Sequence, residues 1–329
     1  MAGSEAPPFW FRKKGWAAYC LAPLSWAYGA AARWRMDNAR PHEVMAPVIC
    51  IGNAVAGGAG KTPVALSVME ALRRGGVNAC FLSRGYGGAL RGPLRVDPNR
   101  HGADEVGDEP LLLAAAAPTW VSRDRVAGAR AAASDGAQAI VMDDGYQNRA
   151  LRKDISVLVI DGGYGFGNGR VMPAGPLREP AGDAIARADA IAVIGEDTCG
   201  IGTALPPGRP VLQARFVPLP DADDISGKPV FAFAGIGRPE KFFETLAGMD
   251  CPFVGTRAFA DHHPYGEDEI MEIVEAAAAG RGIPVTTEKD AVRLPPKTRP
   301  MVRVLRVALE WRDASALDRL LAPITAGKA

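Results

Sequence analysis

The sequence predicts an α/β protein: a parallel sheet with helices on both faces, followed by a second, smaller α/β unit. Three observations predict it. Short apolar runs of strand length alternate with stretches of helical periodicity. A glycine-rich loop lies where the first apolar run gives way to the first helical pattern. A break rich in Pro, Asp and Gly, PLPDADDISGKP over 218–229, separates this series from another of the same kind. The chain has 329 residues, a length that suits two domains. Its 48% hydrophobic and 23% charged residues exclude a disordered or collagen-like chain. With 38 Lys and Arg against 37 Asp and Glu, it is not a generally basic nucleic-acid binder.

The amino-terminal stretch is distinct. Residues 1–46 hold four of the six Trp (Trp10, Trp16, Trp26, Trp34) and six basic side chains against three acidic ones. Residues 15–32, GWAAYCLAPLSWAYGAAA, carry no charge; Arg12, Lys13 and Lys14 precede them, and Arg33 and Arg35 follow. Eighteen residues is the lower limit for a spanning helix, much of the stretch is Ala and Gly, and Pro23 interrupts it. Trp and Tyr near both ends with basic flanks suit a helix lying at a membrane interface. A true span, a secretory signal (AYGAAA imitates a cleavage site) and a soluble packing helix are the competing readings.

PVICIGN (47–53) reads as a buried strand and TPVALSVMEALRRGG as a helix, with Leu66, Met69 and Leu72 at helical spacing. VNACFLS (77–83), PTWVS (118–122), AIVMDD (139–144), ISVLVID (155–161) and AIAVIG (190–195) are further strands, with helical patterns such as EPLLLAAAA and RVAGARAAASDG between them. Beyond the break, PVFAFAGIG and PEKFFETL read as strand and helix, then a helix covers 267–279, and IPVTTEKD and MVRVLRVALEW follow. The predicted domains are 1–46, 47–220 and 221–329. Cysteines at 20, 50, 80, 199 and 251 are odd in number and form no CxxC pair. That argues against a disulfide framework or a zinc site and for a reducing cytosol. Cys50 and Cys80 fall in apolar runs and read as small buried hydrophobes.

GGAGKT, Gly57 to Thr62, carries the strongest chemistry. A loop between strand and helix turns backbone N–H groups toward one point, a ready site for phosphate oxygens. Glycines let the backbone approach; Lys61 would reach the β- and γ-phosphates and Thr62 would bind Mg²⁺. Val55 stands where GxxxxGK[ST] has its first glycine. Such a site needs an acid at the end of a neighbouring strand, and Asp143-Asp144 after AIVM supplies one; Asp-Asp before Gly is also an ordinary turn. Asp108 and Glu109 in GDEP open a helix, where acids also serve as caps. Asp261-His262-His263 offers a base with a partner; with only four His in the chain, a zinc site is poorly supplied.

Together these segments resemble the tetraacyldisaccharide 4′-kinase family. The resemblance rests on IGNAVAGGAGKTP, LSRGYGG, EVGDEPLLLA, VSRDR, MDDGYQN, IDGGYGFGNGRVMPAGPLREP, ADHHPY and TTEKDAVRL, in that order, over about residues 46–290. The family's loop also lacks the early glycine, which accommodates Val55. Asn148 stands where the family usually has His, and Ala59 where Ser or Thr is common. The resemblance implies two α/β/α sandwich domains, the first with a P-loop NTPase-like parallel sheet, with the site in the cleft between them. It implies transfer of the ATP γ-phosphate to the 4′-hydroxyl of an acylated glucosamine disaccharide 1-phosphate, forming lipid IVA in lipid A biosynthesis. The expected place is the cytosolic face of the bacterial inner membrane, with no nucleic-acid partner and no obligate protein partner.

Carried onto this sequence, the resemblance makes Asp108 the catalytic base and pairs His262 with it. Val55, Ala56, Gly57, Gly58, Ala59, Gly60, Lys61 and Thr62 bind ATP, with Lys61 neutralising charge on the γ-phosphate. Thr62 and Asp143 hold Mg²⁺, with Glu109 as a further ligand. Asp144, Gln147, Arg178 and Glu179 line the acceptor or metal region, and Arg84 and Arg123 meet substrate phosphates. Two other classes compete. A partition-type switch ATPase often reads KGGxGKT, and Ala56 in place of that Lys counts against it. A nucleotide-binding membrane adaptor would consume no ATP in response to lipid.

Overall fold

Val48–Gly52 sets the centre of the larger unit. Successive side chains of a strand point to opposite faces, so Val48 and Cys50 enter one core and Ile49 and Ile51 the other. Both faces are covered, which is why the strand reads as an unbroken apolar run. The computed structural model describes residues 7–11, 15–206 and 208–326. These divide into one unit made of the described residues up to 216 together with 309–326, and a second made of 217–308.

In chain order the larger sheet contains β1 (Val48–Gly52), β2 (Ala79–Ser83), β3 (Leu94–Arg95), β4 (Thr119–Val121), β5 (Ala139–Asp143), β6 (Ile155–Asp161), β7 (Ala190–Ile194) and β8 (Val211–Pro218). The smaller sheet contains β9 (Val230–Ala234), β10 (Phe253–Ala258), β11 (Ile283–Thr287) and β12 (Arg303–Leu305); β13 (Val307–Trp311) returns to the larger one. The order of the nine-stranded sheet is β13-β8-β7-β6-β1-β5-β2-β4-β3. Strand β1 lies parallel between β5 and β6, with Ile51 opposite Asp143 on one side and Val157 on the other. The pairs β2–β5, β2–β4, β6–β7 and β7–β8 are also parallel, and only the short β3 is recorded running against its neighbour β4.

The helix Lys61–Arg74 covers one face. Its buried stripe is Val64, Val68 and Leu72 with Ala65, Met69 and Ala71. Leu66, which the spacing nominated, is only half-buried beside it. The opposite face is closed by Ala129 and Ala132 from the helix Arg125–Ser134, with Tyr146 and Leu151. Cys50 and Cys80 are buried as read from the sequence.

The carboxyl terminus differs from the expected assignment of 221–329 to the smaller unit. MVRVLRVALEW is not one strand: Arg306 separates β12 from β13, and β13 lies beside β8. The helix Ala314–Thr325, capped by Asp313 accepting from the Ser315 amide at 3.0 Å, then places Leu317, Leu321 and Ile324 in the core with Val64 and Leu72. Trp311 Nε1 donates to Ser67 Oγ at 2.7 Å. An amphipathic helix must cover its apolar face, and the Lys61–Arg74 helix offers the surface.

The smaller unit is a four-stranded sheet in the order β10-β9-β11-β12, with parallel pairs throughout. Phe242 and Leu246 of the helix Pro239–Ala247 pack on one face, and Ile270 and Ile273 of Glu267–Ala279 on the other. Both units are therefore α/β/α sandwiches.

The amino-terminal stretch forms two helices, Trp16–Cys20 and Ala22–Asp37, broken at Leu21 with Pro23 in the first turn of the second. Ser25 and Gly29 alone are buried in the longer helix. Trp16 and Trp26 are 82% and 80% exposed. Among the described residues no helix is long and apolar enough to cross a membrane. Arg12, Lys13 and Lys14 lie outside the described residues.

Leu321, 1% exposed, fixes the returning helix. Leu321→Ala is expected to destabilise the protein by about 2–5 kcal/mol in urea unfolding, the range for emptying a buried leucine site. A loss below about 0.5 kcal/mol, usual for surface positions, would mean the helix is not packed as described.

Candidate active site

The parallel strands send all their carboxyl ends to one edge, and the loops after β1 and β5 meet there. The chain leaves β1 through Asn53 and turns into the helix Lys61–Arg74 at Gly60. Gly57 (φ 111°) and Gly60 (φ 83°) hold left-handed backbone, which favours glycine. A Cβ at Gly57 or Gly58 would project into open space rather than into protein. No protein atom therefore crowds the loop on the side where these glycines lack a side chain.

Asn53, fully buried, holds the loop from inside. Its Nδ2 donates to the carbonyls of Val55 at 2.8 Å and Gly57 at 3.3 Å, and its Oδ1 accepts from Lys61 Nζ at 3.3 Å. Lys61 Nζ also lies 3.5 Å from Asp144 Oδ1. Outside the loop, the Ala56 amide donates to the Pro176 carbonyl at 2.8 Å, and the Arg178 amide to the Ala54 carbonyl at 2.8 Å.

Asp143 ends β5, next to β1 in the sheet. Thr62 Oγ1 donates to its Oδ2 at 3.3 Å. Its Oδ1 is buried without a hydrogen-bond partner among the described residues. Burial above all, then the charge of Glu109, pushes this carboxyl up to about 7, against the pull of Lys61. Asp144 has φ 49°, a conformation Asp tolerates better than most residues. The turn places it beside Lys61 and 3.3 Å from Arg178 Nη1. Burial works to raise Asp144, but Lys61 and Arg178 outweigh it, and its carboxyl lies below the usual range. Two adjacent aspartates thus hold opposite charge preferences.

Arg178 Nη1 also donates to Gln147 Oε1 at 3.3 Å, and Gln147 Nε2 donates to the Asn53 carbonyl at 2.8 Å and Glu179 Oε1 at 3.2 Å. Glu179 is buried against Arg187 at 2.7 Å. One network therefore joins Asn53, Lys61, Asp144, Gln147, Arg178, Glu179 and Arg187, and the Thr62–Asp143 pair lies beside it, each residue next in the chain to Lys61 or Asp144. Asp108, 4% exposed, opens the helix Asp108–Ala114, and its Oδ1 accepts from the Glu109 amide at 2.9 Å. Arg84 and Arg123 follow β2 and β4 at the same sheet edge, both exposed. Arg123 Nη2 donates to the Gly88 carbonyl at 3.4 Å, and neither arginine joins the network in the recorded contacts.

Two members escaped the sequence reading. Asn53 had a signal, a polar residue straight after an apolar strand. Arg187 had none, because its pairing with Glu179 depends on the turn of the helix Ala181–Ala186.

In the smaller unit, His262 (φ 61°) lies with its Nε2 3.8 Å from Asp261 Oδ2 and 3.4 Å from Lys289 Nζ. Buried Asp290 orders this segment, accepting from the Gly235 amide at 2.9 Å, Tyr265 Oη at 2.8 Å and Thr287 Oγ1 at 2.6 Å. His263 Nε2 is 2.7 Å from Glu269 Oε2, and its ring stacks on Phe259.

The donor set around Asp143 fits a magnesium ion. One carboxylate and one hydroxyl, with an orphaned buried oxygen, suit a cation that takes most of its ligands from phosphate and water. No group of three or more His, Cys, Asp or Glu that could hold a metal occurs among the described residues.

The family described as Tetraacyldisaccharide-1-P 4′-kinase matches residues 17–325. The Tetraacyldisaccharide 4′-kinase of Rhodospirillum centenum is 54% identical over 98% of each chain. That of Rhodospirillum rubrum is 52% identical over 98% of this chain and 99% of its own. Among solved structures, Aquifex aeolicus LpxK in complex with ATP is similar with a TM-score of 0.75 and 26% identity, covering 94% of this chain and 99% of that one.

The raised Asp143 carboxyl has a consequence for stability. Its folded value, about 7, exceeds the ordinary 3.8, so the folded state binds this proton more tightly. The stabilisation is complete below the ordinary value and is lost as pH rises through about 7. Without nucleotide or metal, Asp143→Asn is expected to melt above wild type at pH 8, with the gap closing toward pH 4. A gap that is constant across this range would reject the assignment.

Proposed function

The chain belongs to the tetraacyldisaccharide-1-P 4′-kinase family, and from that premise we propose how its residues divide the transfer of the ATP γ-phosphate to the 4′-hydroxyl of a tetraacyldisaccharide 1-phosphate. The single observation that carries the reading is the junction of the glycine loop with β5. There Lys61 is held by Asn53 and Asp144 while the next residue, Thr62, bonds Asp143, at the end of two central parallel strands.

Phosphoryl transfer has a loose transition state, so positioning and charge neutralisation do most of the work. Loop residues 55–62 cradle the triphosphate through backbone N–H groups, and Lys61 places its charge on the γ-phosphate. Thr62 and Asp143 would hold Mg²⁺, with Glu109 a further ligand, and the ion supplies charge neutralisation on the phosphates when bound. Asp144 and Asn53 keep Lys61 aimed into the loop. Asp108 takes the proton of the acceptor hydroxyl, and His262 supports it. Gln147, Arg178 and Glu179 shape the neighbouring wall, while Arg84 and Arg123, exposed at the same edge, are placed to meet substrate phosphates.

The acceptor is a membrane lipid, and the exposed Trp16, Tyr19, Trp26 and Trp34 support attachment at a membrane surface. We place the protein peripherally on the cytosolic face of the inner membrane, where ATP is available.

The deciding experiment incubates the protein with labelled ATP, Mg²⁺ and tetraacyldisaccharide 1-phosphate and follows label into the lipid fraction. Asp108→Ala is expected to lower turnover about 10²–10⁴-fold, the usual worth of general-base help, with ATP still bound. Unchanged turnover removes Asp108 as base. Lys61→Ala is expected to cost more than His262→Ala, and wild-type activity in His262→Ala rejects its supporting role. Deleting residues 1–35 is expected to move the protein from the membrane to the soluble fraction; an unchanged distribution rejects the attachment.

A further inference from the structure

We infer that the segment Asn168–Arg178 is a strap that sets the shape of the phosphate loop from the amino-terminal helices, with Asn168, Ser25 and Trp10 as positioning residues for ATP binding. The inference rests on the reading of residues 55–62 as the ATP loop.

At its far end the strap is bonded to the amino-terminal segment by four directional contacts. The Asn168 amide donates to the Trp10 carbonyl at 2.7 Å, and Asn168 Nδ2 donates to the Phe9 carbonyl at 3.2 Å. Trp10 Nε1 donates to the Pro173 carbonyl at 3.0 Å. The Ala174 amide donates to buried Ser25 Oγ at 2.8 Å. The Arg170 guanidinium lies over the Tyr19 ring, 4.5 Å from its centroid.

The strap is stiff between its ends. Asn168 closes it on itself, donating through Nδ2 to the Ala174 carbonyl at 2.8 Å and accepting through Oδ1 from the Arg170 amide at 3.1 Å. Gly175 passes so close that a Cβ there would meet Asn168 Oδ1 at 2.1 Å and the Arg170 carbonyl at 2.3 Å. Ala174 and Leu177 are fully buried.

At its near end the strap pairs with the phosphate loop itself. Leu177 forms an antiparallel bridge with Val55, flanked by the bonds from Ala56 to Pro176 and from Arg178 to Ala54. The next side chain, Arg178, holds Asp144 beside Lys61. A shift of the strap would therefore move the loop backbone and the partner of its lysine together. Burial makes these bonds costly to leave unmade, since a buried donor without an acceptor loses its hydration as well. Ser25→Ala would remove one of the two acceptors of the buried Ala174 amide, leaving the Val171 carbonyl at 3.1 Å, and Asn168→Ala would remove the two side-chain bonds that close the turn together with the bond to Phe9.

The test measures equilibrium ATP affinity of the full-length protein in detergent with Mg²⁺ and no lipid acceptor, beside the melting temperature of each variant. Ser25→Ala and Asn168→Ala are expected to weaken ATP binding about three- to tenfold, at a temperature where both remain folded; one buried hydrogen bond is of that size. Trp10→Phe keeps the ring, removes only the donor to Pro173, and is expected to weaken it in the same direction by less. Should the first two variants fail to fold, Trp10→Phe carries the test alone. Wild-type ATP affinity in the folded variants overturns the strap. Failure of wild type to bind ATP in the same assay overturns the loop assignment instead.

Discussion

A carboxylate at the carboxyl end of a central strand, with one oxygen that no donor among the described residues reaches, constrains the larger unit. Asp143 is 1% exposed, and among the described residues its carboxylate accepts from Thr62 alone. Burying a carboxylate in that state is unfavourable unless it is protonated or matched by positive charge. Lys61 supplies part of the match, and Glu109 works against it. Protein chemistry alone leaves the site short of positive charge. Functional sites commonly give up stability in this way, and the shortfall of positive charge fits the cation proposed for this site.

That constraint dictates the order of the sheet. Asp143 must sit beside the loop that follows β1, so β5 has to pair directly with β1, although β2, β3 and β4 lie between them in the chain. The chain reaches β2 first and returns to fill the gap, then β6 forms on the other side of β1. In doubly wound sheets ligands bind outside the carboxyl ends at such a reversal of order. Three loops converge there: the glycine loop, the Asp143–Asp144 turn, and the strap that follows β6.

The sequence made the sheet and its chemistry legible where one residue type has one physical use. Apolar runs of five residues such as VICIG and AIVMD suit strands buried on both faces, and Gly-Lys-Thr after such a run suits a phosphate. Legibility failed where the deciding fact was a distant partner. The helix Ala314–Thr325 has an apolar face that would fit either unit, and only the half-buried Ser67 and Trp311 with the Val64–Leu72 stripe decide between them. Arg187 is one more surface-type arginine until Glu179 is brought beneath it. The roles of Asn168 and Ser25 rest on contacts spanning about 150 residues, which no local pattern encodes.

The amino-terminal helices show why such distant bonds carry weight. The helix Ala22–Asp37 is rich in alanine and buries only Ser25 and Gly29, so apolar burial contributes little to holding it. Its exposed pair between Arg33 and Asp183, at 2.7 Å, is screened by solvent and holds it only weakly. The Ser25 bond to Ala174 is different, because the residue it reaches is fully buried. A helix attached by a few directional bonds keeps its register while leaving its tryptophans outside. Those rings gain nothing from water, and an interfacial lipid layer is the medium in which their apolar bodies and polar N–H groups are both satisfied. The same segment is therefore fixed on its inner side by hydrogen bonds to the strap, while its outer side carries the exposed tryptophans on which the proposed attachment rests. An enzyme that must bring a soluble nucleotide to a lipid hydroxyl gains from a stiff link between its nucleotide loop and whatever element meets the lipid, since slack between them would be lost as misalignment at the reacting oxygen.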